Sequence, residues 1–211
     1  MTARRPLGRE TPGQEPPRNL LLGIALVARG RREGLRQFGS TGEAFLASLA
    51  PWIAFPLVSA GLALLGGEAW GAADGFLQAL CAVLAPAVLS QAVARAWGRD
   101  AAWLHYATAL NWCQWALWAV AAALLVVLSL LLSAGLSQDA AGMALVAGIG
   151  AYAFWLHWFV TRHGLGLGRW RTTLLVVLVN AGTALLAFGP PLLNHLATGT
   201  PEPAALNGSS R

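Results

Sequence analysis

Five apolar stretches, each near the length a helix needs to cross a bilayer, constrain this chain more than any other feature. A hydrocarbon core of about 30 Å takes roughly 20 residues of helix. The stretches run over residues 44–66, 75–96, 103–133, 141–161 and 172–194. Backbone polar groups in hydrocarbon have no water to bond, so each stretch must satisfy them within a helix. Only 11% of the chain is charged and 56% is hydrophobic, which leaves no soluble core; soluble domains average about 25% charged. The expected fold class is an all-α membrane protein. Its architecture is a bundle of five transmembrane helices with an N-terminal cytoplasmic interfacial amphipathic segment.

Arginine placement sets the threading. All 14 basic residues are arginine. Eight precede the first stretch, including Arg29, Arg31, Arg32 and Arg36. Arg95 and Arg99 lie between the second and third, and Arg162, Arg169 and Arg171 between the fourth and fifth. The other two connections carry only Glu68, Asp74 and Asp139. Five spans therefore put 13 of 14 arginines on one side, which the positive-inside rule makes the cytoplasm. The N-terminus is expected inside and the C-terminus outside. Trp97, Trp103, Trp155, Trp158 and Trp170 fall near the inner ends, as an aromatic belt does.

Residues 1–18, rich in Pro, Gly and Arg, cannot bury enough apolar surface to offset their ordering entropy and are expected to be a disordered tail. Residues 19–43 join an apolar block, LLLGIALVA, to four arginines. This reads as a helix lying in the cytoplasmic interface, drawn to anionic headgroups, or else as a basic linker. STGE at 40–43 has capping-box form, with Ser40 as cap and Glu43 reaching back. Residues 195–211 form a short exoplasmic tail. Prolines inside the spans (Pro51, Pro56, Pro86, Pro190, Pro191) each withhold a backbone donor and favour kinks. Small residues at four-residue spacing, Ala144 with Gly148 and Ala147 with Ala151, suit close helix contact or an oligomer face.

Polar groups within the spans are few. No Asp, Glu or Arg stands at the centre of any stretch, which weighs against an ion-coupled pump. In the third stretch, Thr108, Asn111, Gln114, Trp115 and Trp118 share a sector about 120° wide at helical periodicity. This polar-aromatic stripe reads in two ways. It could bind a ligand or headgroup, or its amides could bond across to Asn180 or Gln91 as interhelical glue. Length favours a shallow position, because the uninterrupted apolar run begins only at Trp115. His105 and His157 then fall at headgroup level with Arg29, Arg31, Arg32, Arg36, Arg99, Arg162, Arg169 and Arg171 as candidate interfacial contacts. The GLGLG run at 164–168 lacks the flanking strand and Lys-Ser/Thr of a phosphate loop, and reads as a flexible turn.

Cys81 and Cys113 lie in apolar segments and read as buried hydrophobes. The chain carries no paired carboxylates, nucleophile–base spacing, metal-ligand spacing or cofactor fingerprint, so no catalytic, metal or cofactor residue is assigned, and no enzyme activity or nucleic-acid partner is expected. Expected partners are the lipid bilayer, with anionic headgroups on the cytoplasmic side, and a homo-oligomer or membrane-protein partner.

A polar cytoplasmic N-terminal region, five closely spaced spans and a very short outer tail, with Asn111-Trp112-Cys113-Gln114 early in the third span, resemble the Yip1-like membrane proteins. The resemblance covers residues 38–194. It implies a non-enzymatic protein of membrane organisation. The acidic-aromatic DLYGP signature of the eukaryotic members is missing, so their Rab-partner role does not carry over. Arginine without lysine, in an alanine-rich chain, points to a high-GC bacterium and hence to the inner membrane. The alternative is a small transporter or permease subunit using the third-span stripe.

Overall fold

A computed structural model describes residues 19–67 and 69–198; the expected tail at 1–18 and most of the expected tail at 195–211 lie outside the described residues. Every regular element among the described residues is helical. Helix α1 spans Leu20–Ala28 and is followed by a 3-10 helix, Arg32–Gln37. Then come α2 (Gly42–Leu65), α3 (Ala69–Ala96), α4 (Asp100–Cys113), α5 (Trp115–Ser133), α6 (Gln138–Gly164) and α7 (Arg169–Thr198).

Four of these are long and apolar enough to cross a membrane: α2, α3, α4 continued by α5, and α6. Each begins ahead of its apolar stretch, because a helix once nucleated propagates through flanking polar residues at little cost. The third stretch has one local irregularity. It lies at Gln114, between α4 and α5, where the backbone keeps right-handed helical angles (φ −59°, ψ −26°), so the two helices run on as one span, Asp100–Ser133. There the ladder tightens, with the Leu117 amide donating to the Gln114 carbonyl at 3.0 Å. No proline is present there; Pro51, Pro56 and Pro86 lie inside α2 and α3. The first stretch begins one residue later than STGE predicts. Thr41, not Ser40, is the cap, its Oγ1 accepting from the Ala44 amide at 3.2 Å. A Thr hydroxyl at that position reaches the third amide of the helix, so the next residue serves the same physics.

Helix α4 is the hub. It packs against α1, α2, α3 and α6, while α7 bridges α3 and α6 and α5 lies along α6. Trp103, Tyr106, Ala107, Thr108, Ala109, Leu110 and Cys113 of α4 are all buried. The core joins them to Val27, Leu35, Phe38, Leu156, Val160, Leu165, Leu175 and Val179. These residues sit toward the arginine-bearing ends of the helices. The opposite ends leave Leu62, Leu65, Trp70, Val126, Leu130, Met143 and Val146 exposed. Apolar surface on that scale needs an apolar solvent.

The segment at 19–43 is a docked hairpin. Asn19 caps α1, its Oδ1 accepting from the Leu22 amide, and its own amide donates to Gln37 Oε1 at 3.0 Å. Two glycines let the 3-10 helix cross α1 at backbone distance. A Cβ on Gly34 would lie 2.7 Å from the Gly23 carbonyl oxygen, and one on Gly23 would lie 2.8 Å from Gln37 Cβ. Gly30, at φ 74°, makes the turn between them. Helix α1 is apolar around most of its circumference rather than amphipathic. It is held by α6, where Tyr152 Oη donates to the Ala28 carbonyl at 3.0 Å.

The small-residue rows of α6 divide. Gly148 meets Leu124 of α5, whereas Ala144, Ala147 and Ala151 are exposed. Gly182 of α7 gives a closer approach to α3, where an added Cβ would lie 2.7 Å from Leu89 Cδ1.

Candidate functional site

The third-span stripe does not form one surface. Asn111 Nδ2 donates to Ser48 Oγ at 3.0 Å, and Ser48 in turn donates to the Phe45 carbonyl. Ser48 is fully buried, so this amide ties α4 to α2. Its partner is thus neither Asn180 nor Gln91. Trp115 turns to the same neighbour, with ring centroids 5.7 Å from Trp52 and 6.4 Å from Phe55. Trp118 is exposed at the rim of that aromatic groove. Thr108 is buried at 1% exposure, and its hydroxyl has no hydrogen-bond partner.

Gln114, at the junction of α4 and α5, has a different setting. It lines a cavity of about 200 Å³ among α3, α4, α5, α6 and α7. Pro86, Ala153, His157, Asn180 and Thr183 line the same space. One wall is a hydrogen-bonded relay. Asn180 Nδ2 lies 3.1 Å from His157 Nδ1 and donates to the Val176 carbonyl at 2.7 Å. His157 Nε2 lies 3.2 Å from Tyr106 Oη, which also accepts from Thr161 Oγ1 at 3.4 Å. An amide nitrogen can only donate, so Nδ1 is the acceptor and the ring's proton sits on Nε2, facing Tyr106. His157 is therefore committed to α4 and α7. Asn180 was legible as a bonding amide; Tyr106 and Thr161 were not, because Tyr and Thr in an apolar run carry no signal of their own.

The remaining candidates form an arginine-bearing face. Arg31, Arg32, Glu33 and His163 line a cleft of about 420 Å³ closed by Gly30 and Phe159. A second, of about 510 Å³, shares Arg32, Glu33 and His163 and adds Leu35, Arg36 and His105. Arg31, Arg32 and Arg36 are exposed and have no ion-pair partner among the described residues. His163, a residue with no signal of its own in the sequence, holds its place by bonding Nδ1 to the Phe159 carbonyl at 2.9 Å.

Around this face the other arginines are set by aromatics and glycines. Arg162 lies over Trp158 at 5.1 Å and Arg171 over Trp97 at 6.0 Å, both within cation–π range. Arg99 reaches over Gly166; Arg29 and Arg169 are exposed. The GLGLG run is anchored, since Leu165 and Leu167 are buried and their amides bond back to Thr161 and Arg162. Its arginines are thus held on a fixed turn, with Trp158 Nε1 donating to Thr173 Oγ1 across it.

Long apolar helices, an exposed apolar girdle and arginines gathered at one end define a multi-pass α-helical membrane protein. Comparison with protein-family models, curated proteins and solved structures finds no match to this chain.

Proposed function

We propose that the chain is a five-span, non-enzymatic, Yip1-like protein of a bacterial inner membrane, its arginine-bearing face in the cytoplasm. On this reading α7 is the fifth span, and the face binds anionic lipid headgroups or an acidic partner in membrane organisation. The carrying observation is the pair of adjoining clefts, where three unpaired arginines and two histidines surround a single carboxylate, Glu33. A guanidinium fork matches phosphate oxygens bidentately, which favours arginine over any other cation for this task. The hairpin supports the reading, because docking α1 on the bundle fixes these arginines instead of leaving them on a loose linker.

The test is lipid retention. Purified protein in mixed nanodiscs, analysed by native mass spectrometry, is expected to retain phosphatidylglycerol over phosphatidylcholine. Each arginine near an anionic surface contributes about 1 kcal/mol, so Arg32→Gln with Arg36→Gln is expected to weaken retention roughly thirtyfold. Equal retention of both lipids by the wild type would sink the reading.

A small transporter or permease subunit is the second reading. It rests on the Gln114 cavity, and solute uptake into proteoliposomes that disappears in Gln114→Leu would favour it over the first.

A further inference from the structure

We infer that the cavity beside Gln114 is a binding site for a small, uncharged molecule carrying both a hydrogen-bond donor and an acceptor. This site is separate from the arginine clefts and does not depend on the headgroup reading.

The argument begins with depth. His157 lies seven residues from the end of α6 at Gly164, and Asn180 eleven from the start of α7 at Arg169. At 1.5 Å per residue the cavity sits about 10–16 Å in from the arginine-bearing ends. That places it within the apolar part of the bundle, where polar side chains are costly and mark function by default.

Next comes the inventory of unmet hydrogen bonds. The Gln114 side chain has no partner among the described residues, yet it lines the cavity and is only half-buried. It offers two donors and an acceptor. Asn180 spends its nitrogen on His157 and Val176, which leaves its carbonyl oxygen uncommitted. Thr183 donates to the Val179 carbonyl and keeps its lone pairs. The free functions are therefore one amide with both capacities, opposed by two acceptors.

Charge selects against ions. No Asp, Glu or Arg lines the space. An ion there would be desolvated without a counter-charge, at a cost far above that of a hydrogen-bonded neutral group. Size limits the ligand as well. At about 200 Å³ the space is smaller than the roughly 300–1,000 Å³ of pockets that take drug-sized ligands. Leu110, Leu117, Leu156 and Val179 supply apolar walls for the ligand's carbon skeleton.

Acetamide is the probe, because it is small, neutral and carries both functions. It would be titrated into the full chain in phosphatidylcholine nanodiscs while the Gln114 side-chain amide resonance is followed by NMR. Saturable shifts are expected with acetamide and not with acetate or methylammonium. Gln114→Leu removes no hydrogen bond within the protein, so it is expected to fold, and to weaken acetamide binding about tenfold by saturation-transfer NMR. Ala153→Leu, which fills the same space, is expected to abolish binding, while Arg32→Gln leaves it unchanged. Undiminished binding in both cavity variants would overturn the inference. So would n-pentane binding as tightly as acetamide, which would make the space a pocket for lipid chains.

Discussion

Asn111 and Gln114 stand one helical turn apart and serve different neighbours. Asn111 bonds Ser48 of α2, whereas Gln114, beyond the last residue of α4, opens on the cavity shared with α6 and α7. At three residues' spacing on a helix their side chains point about 60° apart. That rotation about the axis is enough to turn Asn111 to α2 and leave Gln114 at the cavity.

Removing the Asn111–Ser48 bond is expected to loosen α4 from α2. Interhelical hydrogen bonds in membrane proteins average about 0.6 kcal/mol and reach about 1.7. Asn111→Ala and Ser48→Ala are each expected to lower unfolding stability in detergent by about that amount. The pair should be strongly non-additive, since both remove the same bond. Simple additivity in an SDS-unfolding double-mutant cycle would show that the two side chains do not interact.

The relay from Thr161 to Asn180 predicts an asymmetry. Tyr106→Phe removes one hydroxyl and leaves His157 bonded to Asn180. His157→Leu removes one partner from both Tyr106 and Asn180, which keep Thr161 and the Val176 carbonyl. The expected cost is about 1 kcal/mol for the first and about 2 for the second, because the second loses two hydrogen bonds at about 1 kcal/mol each. Thermal unfolding in detergent reads both, and equal costs would contradict the relay.

Close packing of the hairpin predicts that glycine alone is tolerated at its crossing. The Cβ of Gly34→Ala would meet the Gly23 carbonyl oxygen and Leu26 Cβ at 2.7 and 2.8 Å, a backbone atom and the first side-chain carbon, neither of which can swing away. Overpacking of this kind costs about 1–3 kcal/mol. Limited proteolysis at the arginines of 29–36 is expected to accelerate in Gly34→Ala, whereas Gly42→Ala, which meets nothing within 4 Å, should behave as the wild type.

Five spans with arginines inside predict the sides of three connections. Reporter fusions after Arg99 and Gly166 are expected to read cytoplasmic and one after Asp139 exterior. An exterior signal at Arg99 would discard the threading and with it the headgroup reading, but not the cavity.

Much of the architecture is legible in the residues, because hydropathy and helix length are sums over local sequence. Each of α2, α3 and α6 lies where an apolar stretch runs, and the arginines gather at one end as their spacing requires. Helix limits moved by a few residues, and the cap passed from Ser40 to Thr41, because several neighbouring hydroxyls can meet the same amide. The segment at 19–43 read as either an interfacial helix or a linker. Its docking depends on Gly23 and Gly34 meeting across a turn, and a glycine in a chain does not announce its partner.

The candidate site was legible only as an inventory. Asn111, Gln114, His157 and Asn180 stood out as polar groups in apolar surroundings. Which of them meet was decided in three dimensions, by the rotation of each helix about its axis. Sequence alone determined that this chain belongs in a bilayer, built of helices, with its arginines together, since the cost of moving charge and bare backbone into hydrocarbon is large and local. Only the tertiary structure decided that Asn111 holds a helix while Gln114 lines a cavity. Those fates differ by one or two kcal/mol of packing and hydrogen bonding, which no single helix contains.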